Sequence, residues 1–503
     1  MEILAFVLYF LLMLGIGVFF FFKEKSGNEK DYFLGGRQMG PWVTAMSAQA
    51  SDMSAWLLMG LPGSIMAFGF GQVWIGIGLL LGTAANWIFC AARLRKFSQA
   101  AGDAITLPQY LSNRFGGCRP LQIISAVIFL VFFTVYVASS FVAGRKVFTA
   151  IFPDFDPTLA MVIFAAIILV YTFLGGFKAV CWTDFFQGML MLVALLAIPI
   201  VVVASGDLQG LEKVSQTVFG ENEYVFNNNL FACDWRDIAS GLAWGLGYFG
   251  MPHILVRFMS IKKTSMVKKS ATVAIVWVTL ALGAACVIAF FGRKLLADEL
   301  LTNGTQELVF LTLARKYFPT FIAGILMAAI IAASMSTADS QLLVASSSFT
   351  SDIYHPVIRK SKATEKEILW VSRIVVIVVA VVAFFIANSK SEGAAAIMDI
   401  VEQAWAGFGS SFGPVVLLSL FWRKLSATGA VAGVVGGAVV DVFWMECFNK
   451  GADSLIADTG LYELIPGFIV GLLCAVIFSL VGKGASDSAV AVYDAAVAMN
   501  DEE

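Results

Sequence analysis

The sequence predicts an all-α integral membrane protein, on three observations: a large apolar excess, a succession of apolar segments of bilayer length, and few loops of any size. Of 503 residues, 59% are hydrophobic and only 14% charged, and the mean hydropathy is +0.84. A water-soluble core that apolar would leave large adhesive patches outside, whereas helices in hydrocarbon need apolar side chains on their outer faces too. The net charge of −2 offers no basic surface for nucleic acid. Seven cysteines (Cys90, Cys118, Cys181, Cys233, Cys286, Cys447 and Cys474) stand singly, without disulfide or metal-ligand spacing, and read as small buried residues.

A span needs roughly 20 mainly apolar residues, and about thirteen segments meet that length. They are 3–22, 42–69, 73–92, 121–144, 157–175, 185–204, 237–256, 271–292, 318–348, 368–387, 397–421, 427–446 and 463–482. Residues 1–503 thus form a single transmembrane domain with a peripheral first helix (3–22) and a core of 42–204 and 237–421. Two C-terminal helices (427–482) and a short solvated tail (483–503) follow. The first segment is no signal peptide, because Glu2 precedes it and Lys23 and Lys25 follow it, so it should remain in the mature chain. Alternate loops hold most of the cations, among them Lys30, Arg37, Arg93, Arg95, Lys96, Arg114, Lys262, Lys263, Arg359, Lys360 and Arg423. The positive-inside bias therefore puts the N-terminus outside and the C-terminus in the cytoplasm of a multi-pass cell-membrane protein, with Arg293, Lys294, Arg315 and Lys316 as exceptions. The longest polar connection, Ser205 to Trp235, is acidic and lies outside. His355 falls in a polar stretch and reads as solvated; His253 reads as a structural histidine rather than a proton relay.

Two spans are interrupted at a cost. The second carries Ser47, Gln49, Ser51, Asp52 and Ser54, then Gly60, Pro62 and Gly63. An aspartate at mid-membrane costs about 2.5–3.5 kcal/mol. Either Asp52 bonds a neighbouring helix, or the helix unwinds there so that carbonyls and hydroxyls face a site. The seventh span has three glycines and a proline between Trp244 and Pro252; glycine there also permits close helix packing. Interrupted helices five apart point to two inverted repeats, spans two to six and seven to eleven, although the halves share no clear sequence identity. In the ninth span Ser334, Ser336, Thr337, Asp339, Ser340 and Gln341 break a run of Ala and Ile. Hydroxyls in such helices often bond only their own preceding turn, but adjacent Ser336 and Thr337 can also give an alkali cation two hard oxygens at one depth.

The run from Gly175 to Gly188 (GGFKAVCWTDFFQG) and the run from Ala404 through Gly413-Pro414 resemble the two signatures of the sodium:solute symporter family. Within it the likeness is nearest to proline-transporting members, through Leu34-Gly35-Gly36-Arg37, Ala50-Ser51-Asp52-Met53-Ser54, Trp56 to Gly63 and Trp244 to His253. Ala55 stands where those members have glycine, and Asp339 where they have an uncharged residue. The resemblance implies a leucine-transporter-like 5+5 inverted repeat with broken helices. It implies sodium between the second and ninth spans, held by the carbonyls of Ala50, Met53 and Ala333 and the hydroxyls of Ser336 and Thr337. Asp52 would support the ion electrostatically, with Arg37 as a second charged residue in coupling. The implied activity is sodium-driven import of L-proline, without enzymatic chemistry and with no cofactor beyond the coupling ion. The partners are then sodium, L-proline or a similar small solute, and the lipid bilayer. Trp244, Tyr248 and Tyr136 are expected to wall the pyrrolidine ring, with Ser54 near the carboxylate and Pro252 shaping the break; as aromatics they serve packing equally well. The alternatives are a symporter of the same family for another amino acid or a small carboxylate such as pantothenate, and a membrane sensor that keeps the fold. No nucleophile–base pair or metal motif supports an enzyme.

Overall fold

A computed structural model describes residues 1–23, 28–174, 176–208, 214, 216–390 and 396–501. In chain order the helices are α1 (Glu2–Lys23), α2 (Glu29–Leu34), α3 (Pro41–Asp52), α4 (Leu61–Phe68), α5 (Val73–Ala85), α6 (Ala92–Ala100) and α7 (Leu107–Arg114). There follow α8 (Arg119–Ile151), α9 (Pro157–Leu174), α10 (Phe177–Ser205), α11 (Trp235–Gly247), α12 (Pro252–Ser260), α13 (Val267–Thr302) and α14 (Val309–Tyr317). The chain ends with α15 (Thr320–Phe349), α16 (Glu365–Lys390), α17 (Ala396–Phe421), α18 (Ala427–Phe448), α19 (Leu464–Val481) and α20 (Asp487–Ala498). Among the described residues ten helical segments are long and apolar enough to cross a bilayer. The pairs α3/α4 and α11/α12 fall short of that length because each is broken midway.

Both breaks have local causes. Pro41 starts α3 at a position where its missing N–H costs nothing. The helix stops at Asp52: Met53 takes ψ 77, and the Ser54 N–H turns back to the Asp52 carbonyl at 3.0 Å. A π-helical turn, Trp56–Gly60, then leads into α4, a distortion that often accompanies functional sites. Helix α11 begins on a capping box between Asp234 and Asp237 and ends at Gly247. Tyr248 to Gly250 form a turn, Met251 is extended, and Pro252 opens α12.

Helix α11 packs along α5 through glycine. A Cβ on Gly78 would strike the backbone of Gly241 and Leu242, and one on Gly82 the backbone of Gly245. Small residues let the two backbones touch, the usual basis of close helix contact in lipid. Helix α15 is the buried axis, packed on α8 and α10: 83% of its most apolar stretch is buried, against 33% for α16. Helix α16 instead presents Ile374, Val378 and Phe385 outward, as a lipid-facing helix must.

Two connections are more ordered than their composition suggests. The stretch from Ser205 to Trp235 carries a hairpin, Val218–Phe219 against Asn222–Glu223. It docks on the end of α4, where Asn227 accepts from Phe70 N (2.7 Å) and donates to Phe68 O (3.0 Å). The segment after Lys483 is not the free solvated tail expected: α20 is a docked helix. Arg423 grips Asp494 with two bonds of 2.7 Å, Arg114 donates to Ala489 O at 2.6 Å, and Lys96 pairs with Asp501 at 2.6 Å. Ala489, Val492, Tyr493 and Ala496 fall at helical spacing and form its inward stripe, with Ala489 and Ala496 buried.

Candidate functional site

The two breaks meet. Tyr248, at the end of α11, donates to Asp52 Oδ2 at 2.6 Å, and Asn86 donates to Tyr248 O at 2.9 Å. From the other side α15 reaches the same point, for Ser336 donates to Ala50 O at 2.7 Å and to Ala333 O at 3.1 Å. Ala50, Ala333 and Ser336 thus converge, and Thr337 follows on the same buried helix. Among the side-chain oxygens buried here without hydrogen bonds are Thr337 Oγ1 and Asp52 Oδ1. An unbonded buried oxygen costs about 1–3 kcal/mol, more when charged, so the junction is poised for a ligand that takes oxygens. Neutral hydroxyls, carbonyls and one carboxylate are hard donors, suited to an alkali or alkaline-earth ion.

The aromatic residues are arranged in depth. Tyr248 stands edge-on to Trp405 with ring centres 5.0 Å apart. One turn away, Trp244 stacks on Trp405 (6.3 Å) and on Tyr462 (5.2 Å), and Trp405 Nε1 donates to Trp244 O at 2.8 Å. Tyr136 on α8 lies beside Ser54, in the field of Asp52, with its ring 6.3 Å from His253. Ser54 Oγ accepts from Trp56 N at 3.4 Å, beginning the second half of the broken span. Pro252 sits at the first turn of α12, where it sets the restart. His253 is buried against Phe133 and Tyr136.

Arg37 lies elsewhere, at the opposite end of α3, whose 12 residues extend about 18 Å. Arg37 thus stands apart from the Asp52 junction, in a network of its own. Arg37 Nε bonds Asp103 Oδ1 at 2.7 Å, Nη2 bonds Ala104 O at 2.9 Å, and Nη1 reaches Ser98 Oγ (3.1 Å) and Met259 O. Lys30 also pairs with Asp103. Beside them Met39 and Ile261 bridge, with Lys262 N on Met39 O at 3.0 Å. The Leu34-Gly35-Gly36-Arg37 run is explained by this turn, since Gly35, Gly36 and Arg37 all have φ between 54° and 63°, a region glycine enters freely. The result is a latch-like network that ties the turn before α3 to α6 and α12 at one face of the molecule.

A second buried network escaped the sequence reading. Arg257 on α12 pairs with Asp184 on α10 at 3.1 Å, both almost wholly buried. Ser47 donates to Asp184 Oδ2 at 2.6 Å and accepts from Arg257 Nε at 3.1 Å, while Ser340 on α15 accepts from Arg257 Nη2. Removing one partner of such a pair costs about 3–5 kcal/mol because the other charge is left bare. The signal available was an aspartate and an arginine each set directly against an apolar span, Asp184 before 185–204 and Arg257 after 237–256. Asp339 accepts from Ser340 at 3.3 Å at the edge of this network.

At the opposite face from the latch, a cavity of about 290 Å³ opens inward as far as Trp244.

A helical membrane core with two helices broken at one junction, hard oxygens beside aromatic rings, a latch at one face and a cavity at the other defines a secondary transporter. The chain belongs to the sodium:solute symporter family, whose profile matches residues 32–437. It is 43% identical to a protein named sodium/proline symporter 2 of Staphylococcus saprophyticus, over 93% of this chain and 90% of that one. It is 42% identical to sodium/proline symporters of Staphylococcus aureus, over 94% and 91%. Among solved structures it resembles a sodium-coupled sialic acid symporter in a substrate-bound outward-open state, with TM-score 0.73 at 20% identity over 96% and 98% of the two chains. A nucleobase-cation-symport-1 family transporter in a closed conformation gives 0.55 at 16% identity over 94% and 99%. The fold is the leucine-transporter-like one expected, and the chain is a sodium-coupled transporter rather than an enzyme.

Proposed function

We propose that the protein imports L-proline across the cell membrane, driven by sodium. The junction of Ser336 with Ala50, beside the unbonded oxygens of Thr337 and Asp52, is the observation that carries the reading. Sodium there draws on the carbonyls of Ala50, Met53 and Ala333 and the hydroxyls of Ser336 and Thr337, tying the broken α3 to α15. Asp52 supplies negative charge nearby and holds Tyr248 by its hydroxyl, so the ion orders the wall on which the solute rests. Tyr248, Tyr136 and Trp244 present rings to the pyrrolidinium, a contact worth about 0.5–2 kcal/mol each, and the carboxylate lies toward Ser54.

The face bearing the Arg37 latch carries most of the loop cations, so it is assigned to the cytoplasm, and the cavity face with the N-terminus to the outside. Latch shut and outer cavity open together describe a carrier awaiting solute from outside. Opening inward then requires the Arg37 contacts to Asp103, Ala104 and Met259 to part.

The test is uptake of a panel of labelled amino acids and pantothenate by transport-deficient cells, with and without sodium, for the parent and Trp244→Ala. Proline alone should be taken up strongly, only with sodium, and the variant should need at least about tenfold more proline, the equivalent of about 1.4 kcal/mol. Preference for another solute would overturn the proline assignment.

A further inference from the structure

The outer cavity has a chemistry of its own. Its walls include Asp237 from α11, Asp399 and Glu402 from α17, and Gln306 and Glu307 from the turn before α14, with Trp244 at its inner end. Asp399 and Glu402 are three apart on one helix and so share a face. Among the described residues no lysine or arginine lines it; Lys146 pairs with Glu307. Gln306 is only 4% exposed, yet its Oε1 has no hydrogen-bond partner, and neither has Glu307 Oε1. Acceptors left bare in a carboxylate-lined cavity call for a donor or a cation. Among the described residues no three acidic side chains, cysteines or histidines are placed to chelate a metal, so the proposal concerns no chelated ion.

The geometry points to an outer cation-binding antechamber, in which a hydrated monovalent cation, sodium in the working protein, is held by Gln306, Glu307, Asp399 and Glu402 before it passes Trp244. The proposal rests on the sodium-coupled reading of the inner site. A cleft lined by one sign of charge between low-dielectric walls focuses its field and raises the local concentration of counter-ions. Because part of the cavity is open to solvent, added salt should weaken the effect, with a screening length of about 8 Å at physiological ionic strength.

The experiment is sodium-dependent proline uptake by reconstituted protein, at fixed ionic strength set with choline chloride. The variants are Asp399→Asn, Asp399→Lys, Glu402→Gln and Gln306→Leu, with Glu221→Gln on the exposed hairpin as the control. Each neutral variant should raise the sodium concentration for half-maximal uptake by about threefold, and Asp399→Lys should raise it further. At saturating sodium the proline KM should stay within twofold of the parent, and extra choline chloride should narrow the gap between parent and variants. A proline KM that rises at saturating sodium while sodium dependence stays put would overturn the proposal and assign the cavity to the solute's ammonium group. Sodium curves superimposable on the parent, or shifted equally by Glu221→Gln, would also overturn it. If the parent itself shows no sodium dependence, the inner-site reading is what fails.

Discussion

Tyr248 donates its hydroxyl to Asp52 across 2.6 Å, and in doing so it joins the break after α11 to the break after α3. Each residue alone reads as an expense in a membrane helix; together each gives the other a buried hydrogen-bond partner. Asp52→Asn keeps the shape but not the charge and should abolish sodium-driven uptake, whereas Asp52→Glu, which keeps the charge, should retain part of it. Tyr248→Phe removes a hydrogen bond to a charged group, about 1.5–3 kcal/mol, and should weaken proline binding at least about tenfold. Uptake and binding at equal membrane expression check this, and equal activity of the Asn and Glu variants would return Asp52 to a packing role.

The glycine seam between α5 and α11 yields a stability prediction. Gly82→Ala puts a methyl into the backbone of Gly245, an overpacking that costs typically about 1–3 kcal/mol. Gly283→Ala on α13 meets nothing within 4 Å and should be neutral. Thermal unfolding of the detergent-solubilised protein should show a lowered midpoint for the first and an unchanged one for the second.

Asp103 sets the pH behaviour of the latch. Partial burial pushes its carboxyl up, but hydrogen bonds and charge from Lys30 and Arg37 outweigh that and hold it below the usual carboxylate range. A depressed folded value means the latch is fully charged above the ordinary aspartate pKa of about 3.9 and is lost only as pH falls through the lower, folded one. Latch closure should therefore be flat from pH 5 to 8. Asp103→Asn should open it at every pH, read as faster labelling, from the face that bears the latch, of a cysteine placed at Ser98 beneath Arg37. Unchanged labelling would remove Asp103 from the latch.

The breaks were legible because they violate the rules of membrane helices: Asp52 is charged where charge is costly, and Gly245 to Pro252 spoil a helix that composition otherwise favours. Ser336 and Thr337 were legible for the same reason. The latch was not, since Arg37 was singled out only by resemblance, without partners, and Asp103 and Met259 are distant from it in sequence. The Arg257 to Asp184 pair lay between spans read separately, although each residue alone was anomalous in apolar surroundings. Trp405 was hidden inside a signature run, and its place between Trp244 and Tyr248 depends on packing of α17 against α11. The tail was misread because alanine and one tyrosine make a weak stripe that only a neighbouring surface completes.

The most direct measurement of the account is equilibrium binding of labelled proline across a wide sodium range for the parent, Ser336→Ala and Thr337→Ala. Losing one oxygen ligand at a net cost of about 1.4 kcal/mol weakens sodium about tenfold. Because binding coupling is reciprocal, both variants should bind proline poorly at low sodium and recover much of the parent affinity at high sodium. Curves whose sodium dependence overlays the parent, or a deficit that persists unchanged at every sodium concentration, would contradict a sodium ion seated between Ala50 and Ser336.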